Sequence, residues 1–454
     1  MSAISRNLKH DLLKDNPKKI ALSICLPLVI VNVISWFAKK LLQNVYASSC
    51  KEYFTIFGLI GIVISSFQMI MACFVSAAWI KTALNFTEKN PVDKDNYFST
   101  ALGTIIIPQV VFAVILISIR DLLFKWFYVP TELLSKANVY FIVCIFSYVL
   151  ANVGTFFVSI INGVGSALSL LISNLINSCI APLAAFLCLS VFKLGVFGAA
   201  LIPCIQGLAV LVYAIIILKL NKNPMPKVKH LFKMDKKLSC DILKAGFFMA
   251  LQSLFCQLGE IVLSIQTNNY LPIEYIDVLS ADLGFSSIFS VFATSITIFV
   301  PANYQAGNFK RVKDFLKIIA IATLIYSFIC AGLYFLLANW HFSSTFENVE
   351  TVKYGISFWK IYSLAMIPVS SLYVFRFFLD SVGYNRQAMI AGVFQMLGAL
   401  VSALLLVPKF GTVARSWSPF VAFSFAAIYI FVACAVLSKK IFKPKTESLM
   451  ESHK

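Results

Sequence analysis

The chain has 454 residues, 59% of them hydrophobic and 13% charged, where soluble globular proteins carry roughly 45–50% apolar and about 25% charged residues. This excludes a water-soluble multi-domain enzyme and leaves a surplus of apolar surface that has to face lipid. Lysine and arginine number 38 against 20 acidic residues, a net charge of +18, but they are scattered over many short loops, not gathered into the patch or stripe of a nucleic-acid binder.

A basic N-terminal stretch with Arg6, Lys9, Lys14, Lys18 and Lys19 precedes an apolar run over 20–38. That run is longer than the roughly 7–15-residue core of a signal peptide and ends on Lys39 and Lys40 instead of a small-residue cleavage site. It predicts an uncleaved first membrane helix. Crossing about 30 Å of hydrocarbon at 1.5 Å per residue takes about twenty residues, and stretches of that kind follow at 53–80, 98–119, 137–161, 167–191, 196–218, 245–267, 278–300, 315–338, 354–378, 387–407 and 417–437. The reading is an all-α membrane protein with twelve transmembrane helices.

The longest polar interruption, 219–244, carries Pro224, Pro226 and a cluster of lysines at the middle of the chain. It divides the sequence into an N-terminal six-helix bundle (1–218), a linker (219–244), a C-terminal six-helix bundle (245–437) and a tail (438–454). With the N-terminus placed inside, 27 of the 38 basic residues fall on that side and 11 on the other. The positive-inside rule then predicts both termini and the linker on the cytoplasmic side. The halves echo each other: Phe74-Val75-Ser76-Ala77 running on to Asn85-Phe86 matches Phe299-Val300-Pro301-Ala302 running on to Asn308-Phe309, and Asn162-Gly163-Val164-Gly165 matches Asp380-Ser381-Val382-Gly383. Six helices per half is an even number, so the two bundles should be related by a pseudo-two-fold axis along the membrane normal.

An ionised group at the bilayer centre costs roughly 2.5–3.5 kcal/mol on insertion scales, so intramembrane acids are functional candidates. In the seventh span, Ser253, Gln257, Glu260, Ser264 and Thr267 are spaced to share one helical face. In the eighth, Asp282 heads a second stripe with Ser286 and Ser290. Two carboxyls facing one cavity would have raised, mutually coupled pKa values, so that protonation or a bound sodium ion would compete with a cationic ligand. The alternative for Asp282 is a solvated position at the outer interface beside Glu274 and Asp277.

Lys39 and Lys40 also have two readings. If the first helix stops at Ala38 they snorkel to the outer surface; if it runs on toward Tyr46, then Asn32, Lys39 and Gln43 share a face and a fixed cation enters the bundle. His10, His230, His341 and His453 are read as lying in tails or loops, which leaves no histidine relay inside the membrane. The eleven cysteines show no C-x-x-C spacing, and neither H-E-x-x-H nor G-x-S-x-G occurs. No metal, organic cofactor or enzymatic activity is expected.

Several stretches together resemble the multidrug and toxic compound extrusion (MATE) transporter family: Val129-Pro130, Asn162-Gly163-Val164-Gly165, Asn174, Asn177, Pro182, Gly195-Val196-Phe197-Gly198-Ala199-Ala200, and Tyr304-Gln305-Ala306-Gly307-Asn308 followed by Lys310-Arg311. The resemblance implies a secondary active antiporter of the plasma (inner) membrane that exports small amphipathic, often cationic, organic compounds (multidrug efflux) in exchange for H+ or Na+, and the chain is expected to act in the lipid bilayer as a monomer. The acids that many members carry in the first and fifth helices are missing: Leu42 or Gln43 stands at the first position and Ala181 at the second. Asn177 is what remains of the site in the N-terminal half. The expected coupling and substrate set is therefore Glu260, Asp282, Gln257, Ser253, Ser264 and Asn177. The runner-up is a flippase for a lipid-linked oligosaccharide or similar amphiphile, a function found in the wider superfamily.

Overall fold

In hydrocarbon every backbone N–H and C=O must be satisfied within its own segment, which selects helices for a chain of this composition. A computed structural model describes residues 13–87, 94–163, 167–220 and 235–442, and every regular element among them is helical. The long helices are α1 (Pro17–Ser49), α2 (Glu52–Thr87), α3 (Lys94–Ser118), α4 (Leu134–Gly163), α5 (Ala167–Ala185, prolonged by a π turn over Phe186–Val191) and α6 (Gly195–Leu220). After the linker come α7 (Lys236–Tyr270), α8 (Ile288–Gln305), α9 (Phe309–Ser343), α10 (Val349–Ser381, interrupted by a 3-10 turn at Ser363–Ala365), α11 (Asn385–Val401) and α12 (Val407–Ile441).

Eleven stretches of the described residues are long and apolar enough to cross a bilayer, and the last, Asn385–Ser438, holds 54 residues. At 1.5 Å per residue that length would span the hydrocarbon more than twice. It folds back at Gly411, whose φ of 57° and ψ of −131° break the helix. Tyr429 donates to Gln387 and stacks on Phe394 with ring centroids 4.7 Å apart, while Gly398 packs against Ala422. This stretch is an antiparallel pair, α11 and α12, and brings the number of passes to the expected twelve.

Helix ends depart from the sequence reading in four places. First, of the two readings of α1 the longer one holds, the helix running past Tyr46 to Ser49, but it is Lys40, not Lys39, that turns inward. Lys40 is 8% exposed and its Nζ donates to Thr345 Oγ1 at 2.7 Å, whereas Lys39 is exposed. Second, α7 begins at Lys236 behind an N-cap, where Asp235 accepts from the Leu238 N–H at 3.0 Å. Third, Asp282 is not inside the eighth helix: Gly284 adopts φ 72°, a 3-10 turn follows, and α8 starts only at Ile288, so Asp282 is an exposed residue of the connection. Fourth, His341 is not in a loop. It occupies the last turn of α9, fully buried, with its ring stacked on Trp359 at 4.5 Å and 5°.

Among the described residues the chain forms two compact units. One contains Val33–Leu283 and Ser343–Val352; the other contains the residues before Val33, Gly284–Phe342 and the residues from Lys353 onward. By contacts, then, α7 belongs with α2 to α6 and the first half of α1 with α8 to α12, a division that differs from one drawn at the linker.

In the first unit α4 and α6 run parallel at backbone contact. Ser147 donates to the Ala200 carbonyl at 3.0 Å, and a Cβ on Gly207 would lie 2.6 Å from Ala151 Cα. Small residues permit this approach, and dispersion between closely packed backbones holds helices together where lipid removes the hydrophobic drive. In the second unit the C-terminal turns of α9 and the N-terminal turns of α10 share an aromatic core of Tyr334, His341, Phe342 and Trp359.

Candidate functional site

Polar side chains facing one another inside an apolar bundle mark ligand pathways, because each is expensive to keep from water. In the first unit α2, α4, α5 and α6 enclose a cavity of about 330 Å³. Gln68 enters it from α2, Tyr148 and Asn152 from α4, Asn174 and Asn177 from α5, and Gln206 from α6, with Pro203 and Gly207 supplying close backbone. Among the described residues no Asp, Glu, Lys or Arg lines it. It offers amides, hydroxyls and a phenol ring, a set that holds an organic molecule by hydrogen bonds and stacking instead of by net charge.

Within this lining the Gln206 side-chain amide donates to the Asn177 carbonyl at 2.8 Å, tying α6 to α5 across the cavity wall. Asn152 is 4% exposed, and its amide nitrogen has no hydrogen-bond partner among the described residues. A buried unsatisfied donor costs about 1–3 kcal/mol, and natural proteins keep such groups where a ligand or water completes them. Asn152 lines the cavity and carries a donor that no described residue satisfies.

The predicted stripe on α7 is divided by its packing. Gln257 is buried, its Oε1 accepting from Ser66 Oγ at 2.9 Å and its Nε2 lying 2.8 Å from Met69 Sδ; Ser253 Oγ lies 3.3 Å from Cys73 Sγ. Both therefore face α2. Glu260 and Ser264 are half-buried on the same helix. Of the predicted set only Asn177 lines the polar cavity, and neither Glu260 nor Asp282 does. Gln68 of α2 does reach it, two residues from Ser66, so α2 presents one face to the cavity and another to α7.

A second cavity of the first unit, about 450 Å³, lies at the C-terminal end of α1. Asn44, Lys51, Glu274, Asp277, Thr345 and Glu347 are among its lining residues. Lys51 pairs with Glu347 at 2.6 Å, holding that carboxyl below its usual range. Asp277, in the short helix Ile273–Leu279, accepts from Thr55 Oγ1 at 2.7 Å. Burial nonetheless pushes its pKa up to about 6, with Glu274 adding to the rise and the Thr55 hydroxyl opposing it. The expectation of a solvated Asp277 is thereby replaced by a partly buried, hydrogen-bonded one.

Sequence reasoning missed most of the polar cavity. Asn174 entered it only through the family resemblance, and Gln68, Tyr148, Asn152 and Gln206 carry no motif. A signal was present: Tyr148, Asn152, Thr155 and Ser159 recur at spacings of three and four in the fourth span, one polar face on an otherwise apolar helix. Of the echoed motif after that span, Val164 and Gly165 lie outside the described residues. Among the described residues no group of three or more His, Cys, Asp or Glu side chains is arranged to hold a metal ion.

No family model matches the chain. It is 22% identical over 259 residues to the multidrug export protein MepA of Staphylococcus aureus (strain NCTC 8325 / PS 47), a match that takes in 55% of this chain and 56% of the relative. The chain thus matches only about half the length of that curated relative. Its structure is similar to the inward-facing conformation of a multidrug resistance MATE family transporter of the MOP superfamily, with a TM-score of 0.76 and 14% identity over 93% of this chain and 98% of the other. It is also similar, with a TM-score of 0.73 and 15% identity over 98% and 99% of the two chains, to a MOP superfamily transporter from Pyrococcus furiosus whose binding pocket has a reverse polarity that suggests a different function. The twelve-helix fold is that of the MATE transporters, and the resemblance in the sequence is upheld at the level of fold.

Proposed function

We propose that this chain, which carries the MATE transporter fold, is a secondary antiporter that exports amphipathic organic compounds, cationic ones among them, in exchange for protons or sodium. The observation that carries this reading is the uncharged, amide-rich cavity of the first unit with the orphan donor Asn152 in its wall. A cavity that recognises cargo by hydrogen bonds and aromatic surface tolerates many scaffolds, as multidrug efflux requires.

Coupling needs a group whose occupancy by an ion alters the balance between conformations, since a ligand shifts an equilibrium only through differential affinity. Glu260 fits that role. It is a half-buried acid in a membrane-crossing helix of the same unit as the cavity, one turn from Gln257, which α2 grips through Ser66. With Asp282 exposed in a connection, Glu260 carries the role that the sequence divided between two acids. Asn177 belongs to the cargo side of the mechanism, with Ser253 and Gln257 transmitting between α7 and α2. The basic loops support both termini and the linker on the cytoplasmic side; in this reading the chain works as a monomer in the plasma membrane, built as two six-helix halves about an axis along the membrane normal.

The second reading, a flippase for a lipid-linked oligosaccharide or similar amphiphile, has one observation in its favour: the inward-turned Lys40, a fixed cation near the end of α1. Reconstitution into proteoliposomes tests both. Under the antiporter reading a fluorescent organic cation accumulates only when a proton or a sodium gradient is imposed, and each gradient is applied separately to identify the ion. Gradient-independent scrambling of a labelled lipid-linked sugar, with no cation uptake, would establish the flippase instead.

A further inference from the structure

The second unit contains a cavity of its own. The chain entering α1 and the first turns of α9 enclose about 660 Å³ lined by Lys14, Lys18 and Lys317 against a single acid, Asp314. All four of these side chains are exposed, so the cavity opens to its surroundings with a net positive lining. The segment that supplies Lys14 is held in place: Arg311 donates to the Lys14 carbonyl at 3.4 Å and to the Asp15 carbonyl at 2.6 Å, while its Nε donates to Asn303 at 3.0 Å. Asn16 also accepts from the Lys18 N–H at 2.9 Å, fixing the start of α1. The lysines are therefore mounted on an ordered frame.

Each wall continues from its lysine as an apolar row at one-turn spacing. On α1, Lys18 is followed by Leu22 and Leu26, 63% and 50% exposed; on α9, Lys317 is followed by Ile321 and Ile325, 50% and 56% exposed. Positions i, i+4 and i+8 stack along one helical face, and both helices run away from the basic end. A ligand matching this surface has an anionic head and long apolar chains.

We propose that this cavity is a binding site for one anionic diacyl phospholipid, its phosphate held by Lys14, Lys18 and Lys317 and its acyl chains lying along the Leu22–Leu26 and Ile321–Ile325 rows. Basic recesses between membrane helices bind acidic lipid headgroups in this way, each basic residue near the surface adding to affinity. The proposal is independent of what the chain transports.

Native mass spectrometry of the detergent-purified full chain, titrated with phosphatidylglycerol or phosphatidylcholine, tests it. The expected result is a saturable single adduct with phosphatidylglycerol, at least about tenfold weaker in Lys14→Gln/Lys18→Gln/Lys317→Gln and kept in the corresponding triple arginine variant and in Lys39→Gln. Phosphatidylcholine should show no saturable adduct, and glycerol 3-phosphate should not displace phosphatidylglycerol. Equal phosphatidylglycerol binding in wild type and the glutamine variant would overturn the proposal, as would saturable phosphatidylcholine binding. Displacement by glycerol 3-phosphate at matching concentration would overturn it in favour of a site for a soluble phosphate. The arginine variant keeps the charge, so a fold lost in the glutamine variant is distinguished from a lipid site lost.

Discussion

Ser66 of α2 donates its hydroxyl to Gln257 of α7 at 2.9 Å, and two residues further along α2 Gln68 enters the polar cavity. One helix thereby joins the face that bears Glu260 to the wall of the proposed cargo site. If this link carries coupling, Ser66→Ala lowers gradient-driven accumulation of an organic cation severalfold while leaving its binding affinity within about twofold. The buried Gln257 acceptor left unsatisfied costs about 1–3 kcal/mol, so a lower unfolding temperature is expected beside the transport defect. Transport assays paired with equilibrium binding separate the two effects.

Asn152 makes the opposite combination testable. Asn152→Leu removes a buried donor that no described residue satisfies, so thermal stability holds or rises. Cargo affinity falls about five- to tenfold, the worth of one hydrogen bond of roughly 1–1.5 kcal/mol. Isothermal titration with a transported compound alongside an unfolding scan reads both; a drop in stability with unchanged affinity would remove Asn152 from the site.

Gly207 tests the packing that shapes the cavity. Any Cβ there meets the α4 backbone at Ala151, so Gly207→Leu should yield little monodisperse protein, because overpacking of a backbone contact typically costs 1–3 kcal/mol or more. Gly332, where a Cβ would find nothing within 4 Å, accepts Leu without loss. Size-exclusion profiles of the two variants make the comparison.

Asp277 predicts a pH dependence with a definite sign. Its pKa in the folded chain is about 6, above the ordinary 3.8, so between those values the folded state binds more protons than the unfolded state. Its contribution therefore destabilises the fold progressively as pH rises from about 4 to 6 and remains at that level above 6. Asp277→Asn should raise the unfolding temperature at pH 8, by an amount worth up to about 3 kcal/mol, with the gain vanishing near pH 4. Unfolding scans of both proteins at pH 4, 6 and 8 check it.

His341 and Trp359, stacked at 4.5 Å in the core of the second unit, give a fifth test. His341→Ala leaves a cavity in an aromatic core and should lower stability by about 2–4 kcal/mol, while His341→Phe, which keeps a ring on Trp359, should retain most of it.

The fold was legible because its determinant is repetitive. Twenty-residue apolar runs mark passes wherever they stand, and even the 54-residue stretch at the end divides into two passes by length alone. Helix ends are less legible, because a charged residue resembles a boundary until its partner in the fold is known. Lys39 and Lys40 sit inside α1, since one points outward and the other finds Thr345, a residue 305 positions away that no local pattern reveals. Asp282 fell outside α8 because Gly284 takes a left-handed conformation, and glycine alone does not announce which conformation it will adopt. The candidate site was legible where charge is rare, as at Glu260, and obscure where it rests on neutral amides. Asn152, Asn174 and Gln206 come from three helices, and only their packing makes them one surface.

The most direct test of the central claim compares wild type with Glu260→Gln in proteoliposomes loaded with a fluorescent organic cation, under a proton or sodium gradient and under none. The account predicts that Glu260→Gln abolishes gradient-driven accumulation while cation exchange at equal concentrations continues through the uncharged cavity. Gradient-driven accumulation at the wild-type rate in Glu260→Gln would contradict it.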